Sequence, residues 1–271
     1  MFWRVVFAEM EKNIKQFFFS ARTLFWTLAL PLGNGLYLYF LYLPFAARSV
    51  TLEFNDSWYT LDLAGFTLIG QLLYTFFTMM LLSGNVFVRE REEGTLEALL
   101  LSPASRIAIT LGGALASAFN YFWFLFGILF SWVAFLGVKI IITDFFALFA
   151  SIVLSYLSLV SLGMCFEAFF VHSRRGTMYS TMLQEPIMFF SGLAFPLQAM
   201  PRALLSISYL IPLTFGLLSL RLTLLGGASL FDVAVPLMIL ASMALVFFAV
   251  ATWLIGYAER KAKQKATLTQ F

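Results

Sequence analysis

The side chains with the most evident chemical capacity form one dense charged run. Six charged residues, four of them glutamates, fall within the nine positions 89–97. Leu96, Leu99 and Leu100 then share one face of a short helix that Pro103 would end. An acidic helix with an apolar stripe fits the groove of another protein, and a solvated loop beside a membrane is the alternative that the pattern leaves open.

Catalytic and metal-ligating constellations are not evident in the chain. It holds one histidine, His172, and one cysteine, Cys165. A histidine-based metal site or a Ser-His-Asp triad is therefore not expected, and we predict no catalytic residue, no metal ligand and no cofactor of its own.

Two polar residues, Gln184 and Glu185, lie inside an apolar stretch just before Pro186. A carboxylate at the centre of a membrane span costs about 2.5–3.5 kcal/mol on insertion scales. Glu185 therefore either lies on a substrate path or pairs with Arg174 or Arg175 at a shallow depth. The sequence leaves both interpretations open.

The composition identifies the surroundings in which these residues work. Hydrophobic residues make up 61% of the 271 positions and charged residues 11%, and the mean hydropathy is +0.90. Average soluble domains are about 45–50% apolar and about 25% charged, so a soluble or disordered chain is excluded. The net charge of +3 comes from short basic clusters beside apolar runs, which does not indicate nucleic-acid binding.

The fold class that follows is an all-α integral membrane protein with six transmembrane helices. Thirteen of the 17 Lys and Arg residues fall on one side of this arrangement, which places both termini in the cytoplasm. The predicted spans cover about 23–47, 63–88, 107–138, 145–170, 178–197 and 233–258.

Four further segments are predicted within or beside the transmembrane domain of residues 23–258. Apolar residues recur every three or four positions at the N-terminus, which predicts an amphipathic helix lying in the membrane interface. Prolines break the region after the fifth span, which predicts a re-entrant segment in the outer leaflet. These segments are the interfacial helix 1–22, the charged segment 89–103, the re-entrant segment 199–220 and a basic cytoplasmic tail 259–271.

Two stretches carry a resemblance to a known family. The run Arg89–Leu100, followed by Ser102 and Pro103, resembles the cytoplasmic coupling segment of permeases of the ABC type 2 exporter family. A second set resembles that family's signature near the fifth span. It comprises Ser191–Pro196, Met200, Pro201, Ile211–Thr214 and Arg221.

The resemblance implies a half-transporter. Two permease copies, identical or closely related, would pair, and two ABC ATPase subunits would bind them and carry ATP and Mg. The implied ATPase-coupling residues are Arg89, Arg91, Glu92, Glu93, Gly94, Thr95, Leu96, Glu97 and Leu100. The implied outer gate comprises Gly192, Phe195, Pro196, Pro201, Pro212 and Arg221. Independently of the resemblance, the polar residues Gln184 and Glu185 within the predicted span are candidates for the substrate path.

The lysines agree with a motor located in another chain. A phosphate-binding P-loop needs Gly-Lys followed by Ser or Thr, and none of the six lysines follows a glycine. The chain itself is therefore expected not to be an enzyme.

We thus expect a multi-pass permease of a bacterial or archaeal plasma or inner membrane, in contact with membrane lipids. It would export an amphiphilic, lipid-like or lipid-linked substrate. A polysaccharide or glycan export permease of the same family is the alternative. From other classes, an ion-coupled secondary transporter or a non-transporting membrane scaffold stays open.

Overall fold

The computed structural model describes most of the second half of the chain and separate stretches of the first half. The described residues are 2–18, 49–54, 57–84, 94, 104–116, 140–170, 176–193, 197 and 200–264, with single residues between 25 and 40 and between 119 and 133. The predicted spans 23–47 and 107–138 lie largely outside these residues, and so does the charged segment 89–103 apart from Gly94.

Eight helices and one hairpin make up the described elements. Most helices are apolar throughout, as chain buried in lipid or protein requires. The elements are α1 (Phe2–Phe18), β1 (Ser49–Phe54), β2 (Ser57–Asp62), α2 (Leu63–Gly84), α3 (Arg106–Ala116), α4 (Phe145–Phe170), α5 (Gly176–Phe190), α6 (Arg202–Ser208), α7 (Pro212–Leu224) and α8 (Ala234–Gln264).

The hairpin corrects the all-α prediction at one place. Strands β1 and β2 pair antiparallel from Ser49 with Asp62 to Phe54 with Ser57, directly before α2. Thr, Val, Trp and Tyr favour strands, and Asn55-Asp56 lies where a two-residue loop would connect them. Every other described element is helical.

The core lies around α4. Helices α2, α7 and α8 all contact it, and α7 also contacts α2 and α8. Phe66 and Phe77 of α2, Leu159 of α4 and Leu213 and Leu217 of α7 are almost fully buried in this cluster. The arrangement places α7, which carries Arg221, against both α2 and α4.

The N-terminal helix α1 covers Phe2–Phe18 of the segment predicted at 1–22, and one face of it lies against α3. A Cβ added to Gly112 would lie 2.7 Å from the Val6 carbonyl oxygen and 2.8 Å from Cβ of Glu9. Val6 and Glu9 are buried, whereas Trp3 and Phe7 are largely exposed. The Glu9 carboxylate accepts a hydrogen bond from the Asn13 amide at 2.9 Å.

Two helices in the described part of the chain are long and apolar enough to cross a membrane, within Phe145–Phe166 and Ala234–Tyr257. A third crossing would arise if α6 and α7, which meet at 92°, formed one broken span. A sharply bent helix pair is also what a re-entrant segment at 199–220 would produce. The predicted six crossings and the cytoplasmic termini are not tested by these helices.

Helix boundaries follow the predicted spans at some ends and depart from them at others. Helix α4 covers the same residues as the span predicted at 145–170. Helix α5 ends at Phe190, before the end of the span predicted at 178–197, and a turn follows it. Helix α8 continues to Gln264, into the first residues of the tail predicted at 259–271, because Glu, Arg and Lys are good helix formers.

Candidate functional site

Arg221 is at the centre of the described part of the predicted gate. It lies in the last turn of α7 and is only 4% exposed. Its guanidinium donates hydrogen bonds to three backbone carbonyls: Nη1 to Gly192 O at 2.8 Å, Nη2 to Leu193 O at 2.8 Å, and Nε and Nη2 to Phe66 O at 3.3 and 3.2 Å. One side chain thus connects α7, the turn after α5 and the first turn of α2.

The Phe66 ring also contacts the Arg221 guanidinium. The Arg221 Cζ atom lies 3.4 Å from the ring centroid, which is a cation–π contact. No carboxylate among the described residues forms an ion pair with Arg221. Carbonyl dipoles and an aromatic face therefore take the place of a counter-ion.

The turn after α5 brings its carbonyls to the guanidinium through a left-handed glycine. Gly192 has a φ of +75°, a conformation that other residues adopt only with strain. The carbonyls that follow a helix end have no partner within the helix, and in an apolar setting they need donors from elsewhere. Arg221 supplies those donors.

The approach of α2 to this turn requires a residue without a side chain. A Cβ added to Gly70 would lie 2.9 Å from the Leu193 carbonyl oxygen and 3.1 Å from Arg221 Nη2. Gly70, Gly192 and Arg221 therefore form one close-fitting unit, which we call the Arg221 clamp.

The burial of Arg221 is a feature that the sequence analysis did not predict. The side chain is almost fully buried against three backbone carbonyls. These carbonyls come from distant parts of the chain, and no local pattern indicates that they meet. The membership of Arg221 in the predicted gate set is unaffected by this burial.

The prolines of the predicted gate delimit short helices. Pro201 directly precedes α6, and Pro212 is the first residue of α7, where its missing N–H is not needed. The Thr214 hydroxyl donates to the Ser208 carbonyl at 2.8 Å across the bend between the two helices. Phe195 and Pro196 lie outside the described residues.

Glu185 is exposed on α5, and its neighbour Gln184 is buried. The Tyr74 hydroxyl of α2 donates to Glu185 Oε1 at a long 3.4 Å. The alternative partners, Arg174 and Arg175, lie outside the described residues. The Glu185 side chain therefore lies on the exposed side of α5 and also contacts Tyr74 of α2.

One residue of the predicted coupling set is described. Gly94 is exposed and has a φ of +76°, so it forms a turn that strongly favours glycine. The other members, Arg89, Arg91, Glu92, Glu93, Thr95, Leu96, Glu97 and Leu100, lie outside the described residues.

Sequence reasoning missed a polar junction between two loops. Asp144 Oδ1 caps α4 by accepting from the N–H groups of Phe146 and Ala147, and Oδ2 accepts from the Leu230 N–H at 2.9 Å. The backbone hydrogen bonds, first that from Leu230, hold the pKa of Asp144 below its usual value. An aspartate directly before an apolar run is a recognisable cap signal, although its bond to Leu230 is not.

The comparison with known families completes these observations. A family model described as ABC-2 family transporter protein matches residues 47–253. This range includes the Arg221 clamp, the charged segment and helices α2 to α7. No curated protein matches the chain. Because the match covers well over half of the sequence, the chain belongs to the ABC-2 transporter family, as a membrane component of the transporter.

Proposed function

We propose that the chain is the transmembrane permease subunit of an ATP-driven exporter that is powered by a separate ATPase subunit. The observation that carries the proposal is the family match over residues 47–253. The lack of any Gly-Lys pair supports a motor in another chain, because a P-loop needs that pair.

The proposed path for the substrate runs between two copies of the chain, along the exposed face of α5. Tyr179, Met182, Glu185 and Phe189 recur on this face every three or four residues and are exposed in the single chain. A carboxylate facing lipid is costly, so this face is better placed against a second copy or a wet path.

The same face favours an amphiphilic cargo. Its aromatic and methionine side chains would contact an apolar body, because both are large and polarisable. The Glu185 carboxylate and the Tyr74 hydroxyl would contact a polar or cationic group. We therefore propose export of an amphiphilic, lipid-like or lipid-linked molecule.

The Arg221 clamp would act as the gate. It joins α7 to the turn after α5 and to α2, so a movement of α5 against α2 must strain or break the guanidinium contacts. Rigid-body movement of packed helices is a known way of switching transporters. The motion would start in the partner ATPase and pass through the charged segment 89–103.

The test is ATP hydrolysis in proteoliposomes. The permease is reconstituted with its candidate ATPase subunit, and hydrolysis is compared with that of the ATPase alone. We expect stimulation by the wild-type permease and loss of most of it in Gly94→Ala, because alanine resists the left-handed turn by about 1–2 kcal/mol.

The matched control is Gly256→Ala. Gly256 lies in α8 with open space around the position of an added Cβ, and alanine is the better helix former there. This variant should stimulate hydrolysis as the wild type does. A permease that never binds or stimulates an ATPase would contradict the proposed function. Stimulation that Gly94→Ala leaves unchanged would contradict the role of the charged segment.

A further inference from the structure

A cavity of about 260 Å³ lies within one copy of the chain, separate from the exposed face of α5. Helices α2, α4 and α7 form most of its wall. Leu125, Leu129 and the loop residues Ile140 and Ile142 complete the described lining. Ile142 is more than half exposed, so the cavity reaches the surface at the end of the bundle where α4 begins.

The wall is almost entirely aliphatic and aromatic. Ile69, Leu73 and Phe76 face it from α2, and Ile152 and Val153 from α4. The two polar residues of the described lining are neighbours on α4, Ser155 and Tyr156. The Tyr156 hydroxyl is engaged, since it donates to the Ala114 carbonyl at 3.1 Å.

Ser155 is the exception among the buried serines of α4. Ser151, Ser158 and Ser161 each donate to a carbonyl of their own helix. The Ser155 hydroxyl is 2% exposed and has no hydrogen-bond partner in the described structure. Among the described lining residues, Ser155 therefore has the one hydroxyl without a partner, and Tyr156, whose hydroxyl is engaged, is the other polar residue.

These walls do not suit water. An ordered buried water needs two to four polar partners, and genuinely apolar cavities take apolar occupants. An unfilled cavity of this size would forfeit dispersion contacts along its whole lining. The wall chemistry thus calls for an occupant that is aliphatic over its length.

The shape of the lining agrees with a chain-like occupant. Leu148 and Tyr156 both line the cavity along α4, and at 1.5 Å per residue they are about 12 Å apart along the helix axis. Leu224 lies at the same end as Leu148, because the Ile141 N–H donates to the Leu224 carbonyl. The opening at the loop end would let a chain enter parallel to the helices.

We propose that this cavity binds one aliphatic chain, supplied by a lipid of the surrounding bilayer. The lipid stabilises the contact between α2, α4 and α7 and is not cargo on the path along α5. The proposal rests on the membrane location of the chain and not on the direction or identity of transport. A single-chain amphiphile carries the same chemistry and is the other source that the experiment distinguishes.

The test is photolabelling of the full-length protein in vesicles. The probe is phosphatidylcholine with a diazirine in the middle of one acyl chain, and labelled residues are located by mass spectrometry after digestion. We expect label on cavity residues of α2 and α4, such as Leu73 and Val153. A phosphatidylcholine with the diazirine in its headgroup should leave these residues unlabelled.

Val153→Phe puts a larger side chain into the cavity and narrows it, and Leu157→Phe is the matched control one turn along α4. Leu157 is exposed and does not line the cavity. We expect Val153→Phe to lower cavity labelling about tenfold and Leu157→Phe to leave it unchanged. Ser155→Ala should keep full labelling and wild-type thermal stability, because its hydroxyl has no partner to lose.

In the wild-type protein, acyl-chain label that falls only on outer faces such as Leu157 would overturn the proposal. This result needs no variant, so the test stays valid if Val153→Phe does not fold. Cavity labelling by a diazirine alkyl alcohol but not by phosphatidylcholine would overturn the bilayer source and assign the site to a single-chain amphiphile. ATPase stimulation is not used in this test, so its outcome is independent of the proposed function.

Discussion

Arginine suits position 221 because of the geometry of its donors. Its planar fork reaches the Gly192, Leu193 and Phe66 carbonyls at the same time while its face lies over the Phe66 ring. A lysine has a compact ammonium and cannot match three separated acceptors. The residue therefore stabilises the junction by directional hydrogen bonds and not by charge alone.

Arg221→Lys tests this interpretation. Each buried carbonyl left without a donor costs about 1–3 kcal/mol, so we expect a loss of about 3 kcal/mol in the free energy of unfolding. The measurement is thermal or denaturant unfolding of the purified protein in detergent. The control is Arg202→Lys, because Arg202 is exposed on α6 and should tolerate the change. Equal stability of the two variants would refute the clamp.

The hydrogen bonds of Asp144 lead to a prediction about how the stability of the folded protein depends on pH. Its pKa is lowered from 3.8 in the folded protein, chiefly by the Leu230 N–H, so its contribution to stability is complete above that value. The contribution is lost as the pH falls through the lower folded pKa. We expect the difference in melting temperature between wild type and Asp144→Asn to be constant above about pH 5 and to narrow between about pH 4 and pH 2. A difference that stays constant over this range would contradict the role of the ionised carboxylate.

The sequence indicates which residues are functional candidates more reliably than it indicates what surrounds them in the fold. The resemblance selected Arg221, and the apolar setting selected Glu185. The burial of Arg221 depends on Phe66 and on the turn at Gly192, which are far from it in the chain, and pairing at that range leaves no local signature. The cap at Asp144 was readable because it involves only the next three residues.

At the scale of elements, a charge-free run predicts the start of a helix well where the run follows directly after a polar capping residue. Helix α4 begins directly after Asp144, and the charge-free run 145–166 covers all but its last four residues. The predicted span 178–197 is interrupted by Glu185 and gives no such boundary, because α5 ends at Phe190, two residues before the left-handed Gly192, within apolar sequence. The hairpin at 49–62 was not predicted, although its first strand alternates polar and apolar residues as strands do.

The contact of α1 with α3 leads to a prediction about one glycine. Gly112→Ala would bring a methyl group to 2.7 Å from the Val6 carbonyl, which is backbone and cannot turn aside. Overpacking of this kind costs about 1–3 kcal/mol, so α1 should move away from α3. The measurement is the reaction of Val6→Cys with a hydrophilic maleimide, because Val6 is fully buried.

We expect slow labelling of Val6→Cys in the wild-type background and fast labelling with Gly112→Ala. Gly33→Ala is the control, since open space surrounds the position of its added Cβ. Labelling that is equally slow in all three backgrounds would show that α1 does not depend on this contact.

At the scale of the whole molecule, the described contacts link the cytoplasmic and outer parts that the sequence predicts. Helix α3 starts at Arg106, just after the charged segment ends at Pro103, and α1 lies against it. The Tyr156 hydroxyl of α4 donates to the Ala114 carbonyl of α3. Helices α2, α4 and α7 contact one another, and α2 and α7 carry residues of the Arg221 clamp. In the proposed mechanism, a push on the charged segment would pass to these packed helices by rigid-body movement.

The decisive measurement is site-specific crosslinking between the permease and its ATPase subunit. A photo-crosslinking amino acid replaces Glu97 in the charged segment, and the same amino acid at Leu52 in the hairpin is the control. We predict a crosslink to the ATPase from position 97 and none from position 52. A membrane-impermeant maleimide should label Leu52→Cys from outside the cell and leave Glu97→Cys unlabelled. Labelling of Glu97→Cys from outside, or an intact complex that never crosslinks at position 97, would contradict an exporter driven through this segment.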